Sequence, residues 1–253
     1  VSSGFGRACA IELARIGYNI YGVHLDTGSN KEKAEEFRRS LEHLNIKAKF
    51  FNVNAADDAK RKEVIEAIKQ DKENNPNHVL RVLIHSLAFG AIGPFFSENP
   101  GEMLNKRQIE MTMDVMANSL IYWTQDLFKA KLLAENSRVF GLTSIGSQRA
   151  MANYGAVSAA KAALEAYVRQ IAVELAPYKI TANAILAGLT DTPAAQKIPG
   201  FAKMLQHAGT QLMGETPDFL ECPLDRCPHL LQTCQDLRVH VLSPVNQGVH
   251  FQC

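Results

Sequence analysis

Residues 138–187, RVFGLTSIGSQRAMANYGAVSAAKAALEAYVRQIAVELAPYKITANAILA, decide the fold. The stretch opens on Arg138–Thr143, an apolar run of strand length. Residues 158–176 follow as a helix of small residues, and Ile180–Ala187 reads as a second strand. A strand, a helix and a strand in that order form a crossover unit, and crossovers join parallel neighbours in one sheet.

The same rhythm extends towards the N-terminus. Residues 4–17 place Ala8, Ile11, Leu13 and Ala14 along a helix that Gly17 stops. A strand over Tyr18–Leu25, an amphipathic helix over 31–44 and a strand over Lys47–Val53 come next. A helix over 58–72, a strand over Val79–His85 and a long helix over 103–134 complete the alternation. Alternating strands and helices predict an α/β fold, a doubly wound parallel sheet with helices on both faces. No internal repeat or low-complexity linker interrupts it, so one domain is the economical reading.

Composition fits this class. The 253 residues carry 27 Lys+Arg and 26 Asp+Glu, with 46% hydrophobic and 21% charged residues. A balanced charge argues against a nucleic-acid surface. No apolar run reaches the roughly 18 residues of a membrane span, and no secretory leader is read at the start. No membrane and no nucleic-acid partner are therefore expected, and the cytoplasm is the expected compartment. Four of the five cysteines, Cys222, Cys227, Cys234 and Cys253, crowd the C-terminal end. Their spacing matches no familiar zinc pair, and no metal is assigned.

In open α/β sheets ligands bind beyond the carboxyl ends of the strands, so the residues just after each strand are the candidates. Gly4-Phe5-Gly6 opens the first helix, where free N–H groups and a partial positive charge suit a pyrophosphate; a simple tight turn is the competing reading. His24-Leu25-Asp26 ends the next strand about 20 residues on, where ribose-selecting side chains sit. Asp26 could accept from ribose hydroxyls, His24 could face a 2′-phosphate, and either could be a solvated strand end. Tyr154 and Lys161 lie seven residues apart, two helical turns on one face. A tyrosine hydroxyl is a weak acid, and a nearby ammonium stabilises its phenolate. Spacing alone also fits a surface Tyr and Lys on an Ala-rich helix.

Gly4-Phe5-Gly6, Tyr154 with Lys161, and Ala187-Gly188-Leu189-Thr190-Asp191-Thr192 together resemble the short-chain dehydrogenase/reductase superfamily. Within it the chain is similar to the bacterial enoyl-acyl-carrier-protein reductases. Six residues separate Tyr154 from Lys161 where ordinary members have three, and Val157 stands four before the lysine. His85-Ser86-Leu87-Ala88 replaces the ordinary Asn-Asn-Ala-Gly. Met116 stands at the usual catalytic Asn, and Gln148-Arg149-Ala150-Met151-Ala152-Asn153-Tyr154 matches the enoyl-reductase signature. The resemblance covers roughly residues 1–205.

It implies a Rossmann-like fold and reduction of trans-2-enoyl thioesters by NADH or NADPH. Tyr154 would stabilise the enolate and Lys161 would hold the nicotinamide ribose. Ser144 stands where many enoyl reductases carry a second Tyr, and it also reads as the catalytic Ser of an ordinary ketoreductase or alcohol dehydrogenase. A non-catalytic nucleotide-binding member is a further alternative. Cofactor contacts carry over to Ser2, Gly4, Phe5, Gly6, His24, Asp26, Asn52, Val53, Ser86, Leu87, Ala88, Lys161, Gly188, Thr190 and Thr192.

The implied partners are an acyl-carrier-protein or CoA thioester substrate and further copies of the chain in a tetramer or dimer. The reductase domain is placed at 1–215, with a substrate lid at about 193–215 that carries Pro193, Ile198, Phe201, Met204, Leu205 and Met213. Lys197 and Lys203 could meet an acidic carrier protein. The resemblance also implies a first strand ahead of Val1 and a final strand at the other end; residues 216–253 read as a divergent tail without that strand.

Overall fold

The computed structural model describes residues 1–198, 200–202 and 239–242, the last four as backbone alone. In chain order the elements are α1 (Gly4–Arg15), β1 (Ile20–His24), α2 (Ser29–Glu42), β2 (Ala48–Asn52), α3 (Asp58–Asn74), β3 (Leu80–His85), α4 (Lys106–Met113), α5 (Ser119–Lys129), β4 (Leu133–Leu142), α6 (Gly155–Leu175), β5 (Thr181–Ala187) and β6 (Val239–Leu242). β1 and β2 pair in parallel, from Ile20 opposite Ala48 to His24 opposite Asn52. β3, β4 and β5 form a second parallel set. The α/β architecture expected from the sequence is present.

The sheet is interrupted. β1 and β3 are not paired, and an apolar slot of about 550 Å³ lies between them, lined by Ile20 and Val23 on one side and Val82 and Ile84 on the other. The slot stands where the resemblance implies a further strand. Val1 lies at its edge, its backbone nitrogen donating to the Val23 carbonyl at 3.2 Å. At the far edge β6 runs antiparallel to β5, with Ala187 opposite Val239. The divergent tail therefore does supply a strand.

The helix expected over 103–134 is broken. A capping box between Asn105 and Gln108 starts α4. A wide π turn over Asp114–Asn118 then leads into α5, which stops at Lys129. Lys131 and Asn136 take positive φ, 53° and 66°, and Ser137 Oγ bridges the irregular stretch by accepting from Ala134 and donating to the Leu80 carbonyl. β4 therefore begins before Arg138. Left-handed backbone at a Lys and an Asn leaves no trace in apolar spacing, which is why Ala130–Ala134 read as helix.

The core between α5, α6 and the second sheet buries Leu120, Val139, Ala160, Leu164 and Val168 completely or nearly so. Gly141 allows this approach, since a Cβ there would meet Leu164 Cδ2 at 2.8 Å. α3 is capped by Asp57, which accepts from the Lys60 N–H at 2.9 Å. Trp123 of α5 anchors the preceding loop by donating to the Ala55 carbonyl at 2.9 Å.

Candidate active site

The carboxyl ends of β1, β3, β4 and β5 and the starts of α1 and α6 converge on one region. At α1, Gly4 has φ +54°, a conformation that glycine adopts without strain. Its N-cap Ser3 makes no side-chain capping bond, and the first turn holds no acid. The N–H groups of that turn are thus unspent, and the macrodipole favours an anion there. Gly4 faces Thr192, and Gly6 approaches Ser86 Oγ so closely that a Cβ would sit 3.4 Å from it. These contacts bring the α1 turn together with the loops after β3 and β5. Ser2 and Phe5 lie half-buried beside them, while Ala88 is exposed.

The ends of β1 and β2 form a second cluster. His24 Nδ1 lies 2.8 Å from Asp26 Oδ2. Asn52 grips the backbone of Asp26 twice, accepting from its N–H at 2.9 Å and donating to its carbonyl at 3.0 Å. The Val53 N–H donates to the His24 carbonyl at 2.7 Å. Burial lowers the His24 pKa, and the Asp26 carboxylate opposes that shift.

Lys161 is 5% exposed on the sheet-facing side of α6. Its ammonium donates to the carbonyl of Leu142, at the end of β4, at 2.7 Å. It also donates to the carbonyl of Leu87, just after β3, at 3.2 Å. Burial pushes it down to about 8. Tyr154 is the N-cap residue of α6, so two turns, about 10.5 Å of axial rise, separate the residues along the helix.

Tyr154 is 8% exposed, and its ring rests on Gly146, where a Cβ would sit 2.7 Å from Cε1. Ser144 Oγ accepts from the Gly146 N–H at 3.3 Å, placing Ser144 in the turn that bears the tyrosine ring. Thr143 and Ser147 both donate to Glu165 Oε1 at 2.6 Å, tying that turn to α6. Sequence patterning singles out neither Gly146 nor Glu165. Glu165, one turn beyond Lys161 on α6, was the available signal.

Beyond β5, Thr190 donates to the Gly188 carbonyl at 3.1 Å, and Thr192 accepts from the Ala195 N–H at 3.2 Å. Ile198 packs on the core beside α6, and Phe201 is buried. Met204, Leu205, Met213 and Lys203 lie outside the described residues. Met116 sits in the π turn with its sulfur against Gly90.

Five large apolar side chains are exposed beyond the carboxyl ends of the strands: Phe89, Phe95 and Phe96 after β3, Ile145 after β4 and Leu189 after β5. Phe96 is 90% exposed. Among the described residues no group of His, Cys, Asp and Glu could hold a metal ion. No described helix is long and apolar enough to cross a membrane.

A family model described as enoyl-(acyl carrier protein) reductase matches residues 1–216. The NADH-type enoyl-acyl-carrier-protein reductase FabI of Enterococcus faecalis is 28% identical over 198 residues, which cover 78% of this chain and 76% of that protein. The NADPH-type FabI of a Staphylococcus aureus strain is 27% identical over 204 residues, 79% of this chain and 75% of that protein. Among solved structures, the angucycline C-6 ketoreductase LanV with bound NADP superposes with a TM-score of 0.69. It is 21% identical and covers 81% of this chain and 76% of that one. At that identity the likeness is one of fold.

Proposed function

The chain belongs to the enoyl-(acyl carrier protein) reductase family of the short-chain dehydrogenase/reductases, and on that premise we propose that it reduces trans-2-enoyl thioesters with NADH or NADPH. The observation that carries this reading is the buried Lys161 ammonium, seated on the carbonyls of Leu87 and Leu142 two turns from Tyr154.

The residues present fit a dinucleotide. The unspent N–H groups of the α1 turn, with Ser2, Gly4, Phe5 and Gly6, suit a pyrophosphate. The anchored Asp26, flanked by His24, Asn52 and Val53, suits the adenosine end. Ser86, Leu87, Ala88, Gly188, Thr190 and Thr192 line the path to the nicotinamide. When bound, the cofactor supplies the hydride for the substrate β-carbon.

Tyr154 donates a hydrogen bond to the thioester oxygen as enolate charge develops there, the kind of stabilisation that dominates such steps. Lys161, held by the carbonyls of Leu87 and Leu142, would hold the nicotinamide ribose. Ser144 and Gly146 fix the tyrosine ring. The exposed Phe89, Phe95, Phe96, Ile145 and Leu189 offer an apolar rim to an acyl chain; most of the lid expected at 193–215 of the 1–215 domain lies outside the described residues. The carrier is acyl-carrier protein or CoA, the assembly a tetramer or dimer through the helices of 103–134 and 158–176, and the compartment the cytoplasm.

Purified protein mixed with a crotonyl thioester and each reduced cofactor tests the reading by loss of nicotinamide absorbance. Ser144 in the turn beneath Tyr154 favours a second reading, that of a ketoreductase. Turnover of a 3-oxoacyl thioester without turnover of the enoyl thioester selects it.

A further inference from the structure

His85 is a buried titratable group that the proposed mechanism does not use. It is the last residue of β3 and is 4% exposed. Its Nε2 lies 2.7 Å from Ser119 Oγ. The Ser119 hydroxyl spends its proton on the Val115 carbonyl at 2.8 Å, inside the π turn. The bond from the ring must therefore run from Nε2–H to Ser119 Oγ, which fixes the tautomer. Nδ1 is left as a bare acceptor, with no hydrogen-bond partner among the described residues. Two residues further on, the Leu87 carbonyl receives the Lys161 ammonium. Lys161 is the charged group that bears on the ring, and burial together with that charge keeps His85 neutral. The ring thus joins the end of β3 to the π turn at the point from which the chain departs towards Leu87.

We propose that His85 is a positioning residue: clamped to Ser119, it fixes the turn from His85 to Leu87 so that the Leu87 carbonyl meets the Lys161 ammonium. This rests on the reading of Lys161 as the ribose-holding lysine only for its consequence in catalysis; the geometry it predicts exists in the chain without nucleotide. Loosening one hydrogen bond to a charged group moves an equilibrium by about ten-fold or more, which for Lys161 is a fall in pKa of about one unit.

The experiment is a carbon NMR titration of the lysine Cε signals of the nucleotide-free chain, with the Lys161 signal identified by its loss in Lys161→Met. His85→Leu and Ser119→Ala should each lower the midpoint of Lys161 by about ten-fold in proton affinity. His85→Gln, which keeps an N–H donor within reach of Ser119, should stay within about three-fold of the wild type, the margin of a preserved bond. Leu41→Ala, a cavity in the separate core between α1, α2, β1 and β2, supplies the comparison for destabilisation alone. A Lys161 midpoint in His85→Leu equal to that in Leu41→Ala would overturn the proposal, as would failure of His85→Gln to restore it. Absence of enoyl turnover in the wild type would instead count against the reductase reading and leave this titration to decide on its own terms.

Discussion

At the residue scale the account turns on Tyr154 and Lys161. Their seven-residue spacing along one helix is legible in the sequence; what seats them is not. The tyrosine ring lies on the bare Cα of Gly146, so Gly146→Val should push the phenol out of place. A displacement of about 1 Å at a reacting centre costs on the order of a hundred-fold in rate. Steady-state kinetics should show that loss in kcat, with the KM for cofactor within about three-fold of the wild type if the cofactor contacts persist.

Lys161 sets a pH dependence whose sign follows from its lowered pKa, about 8 in the fold against 10.5 for the free side chain. A rate that needs the ammonium falls as pH rises through about 8. Stability moves the other way. The unfolded chain binds this proton more tightly, so the cost of burying it, on the order of 3 kcal/mol, is relieved as pH climbs from the lower value to the higher. A pH-rate profile recorded beside thermal melts checks both signs.

At the element scale the sequence was read well where a strand is bounded by its own chemistry. The strand expected over Val79–His85 is β3 within one residue, and the expected ends at His85 and Ala187 are the ends found. It was misread where a single backbone angle decides. The positive φ of Lys131 and Asn136 shortens the long helix and lengthens β4. The turn beneath Tyr154 likewise depends on a side chain from another element. Glu165 accepts from both Thr143 and Ser147, and bonds to an ionised acceptor are the stronger kind. Glu165→Ala should therefore lower unfolding free energy by about 2 kcal/mol and reduce kcat, whereas Glu165→Gln, which keeps an acceptor oxygen, should lose less. Urea melts of the two variants measure the difference.

At the scale of the whole molecule, the alternation of strands and helices foretold the α/β class and the convergence of strand ends on one site. It did not foretell that β6 would add to β5 in antiparallel fashion from the cysteine-bearing tail. That pairing depends on a partner distant in sequence, which local patterning does not encode.

Buried polar groups also make the fold respond to acid as a unit. His85 is held down to about 3 by burial and by Lys161. A base whose folded pKa is depressed contributes stability above its unfolded value, near 6.5, and that contribution is lost as pH falls towards the folded value. Between the unfolded value and pH ~4 the loss amounts to about 3 kcal/mol. Thermal melts should show the wild type losing stability across that range, with a shallower slope in His85→Gln.

The central claim is tested most directly by a substrate-pair assay: the initial rate of reduced-cofactor consumption with a trans-2-enoyl thioester against that with the matching 3-oxoacyl thioester, in wild type and Tyr154→Phe. The account predicts turnover of the enoyl substrate with NADH or NADPH, and its fall by on the order of a hundred-fold when the phenol is removed. No consumption with either cofactor, or consumption that Tyr154→Phe leaves unchanged, would contradict it.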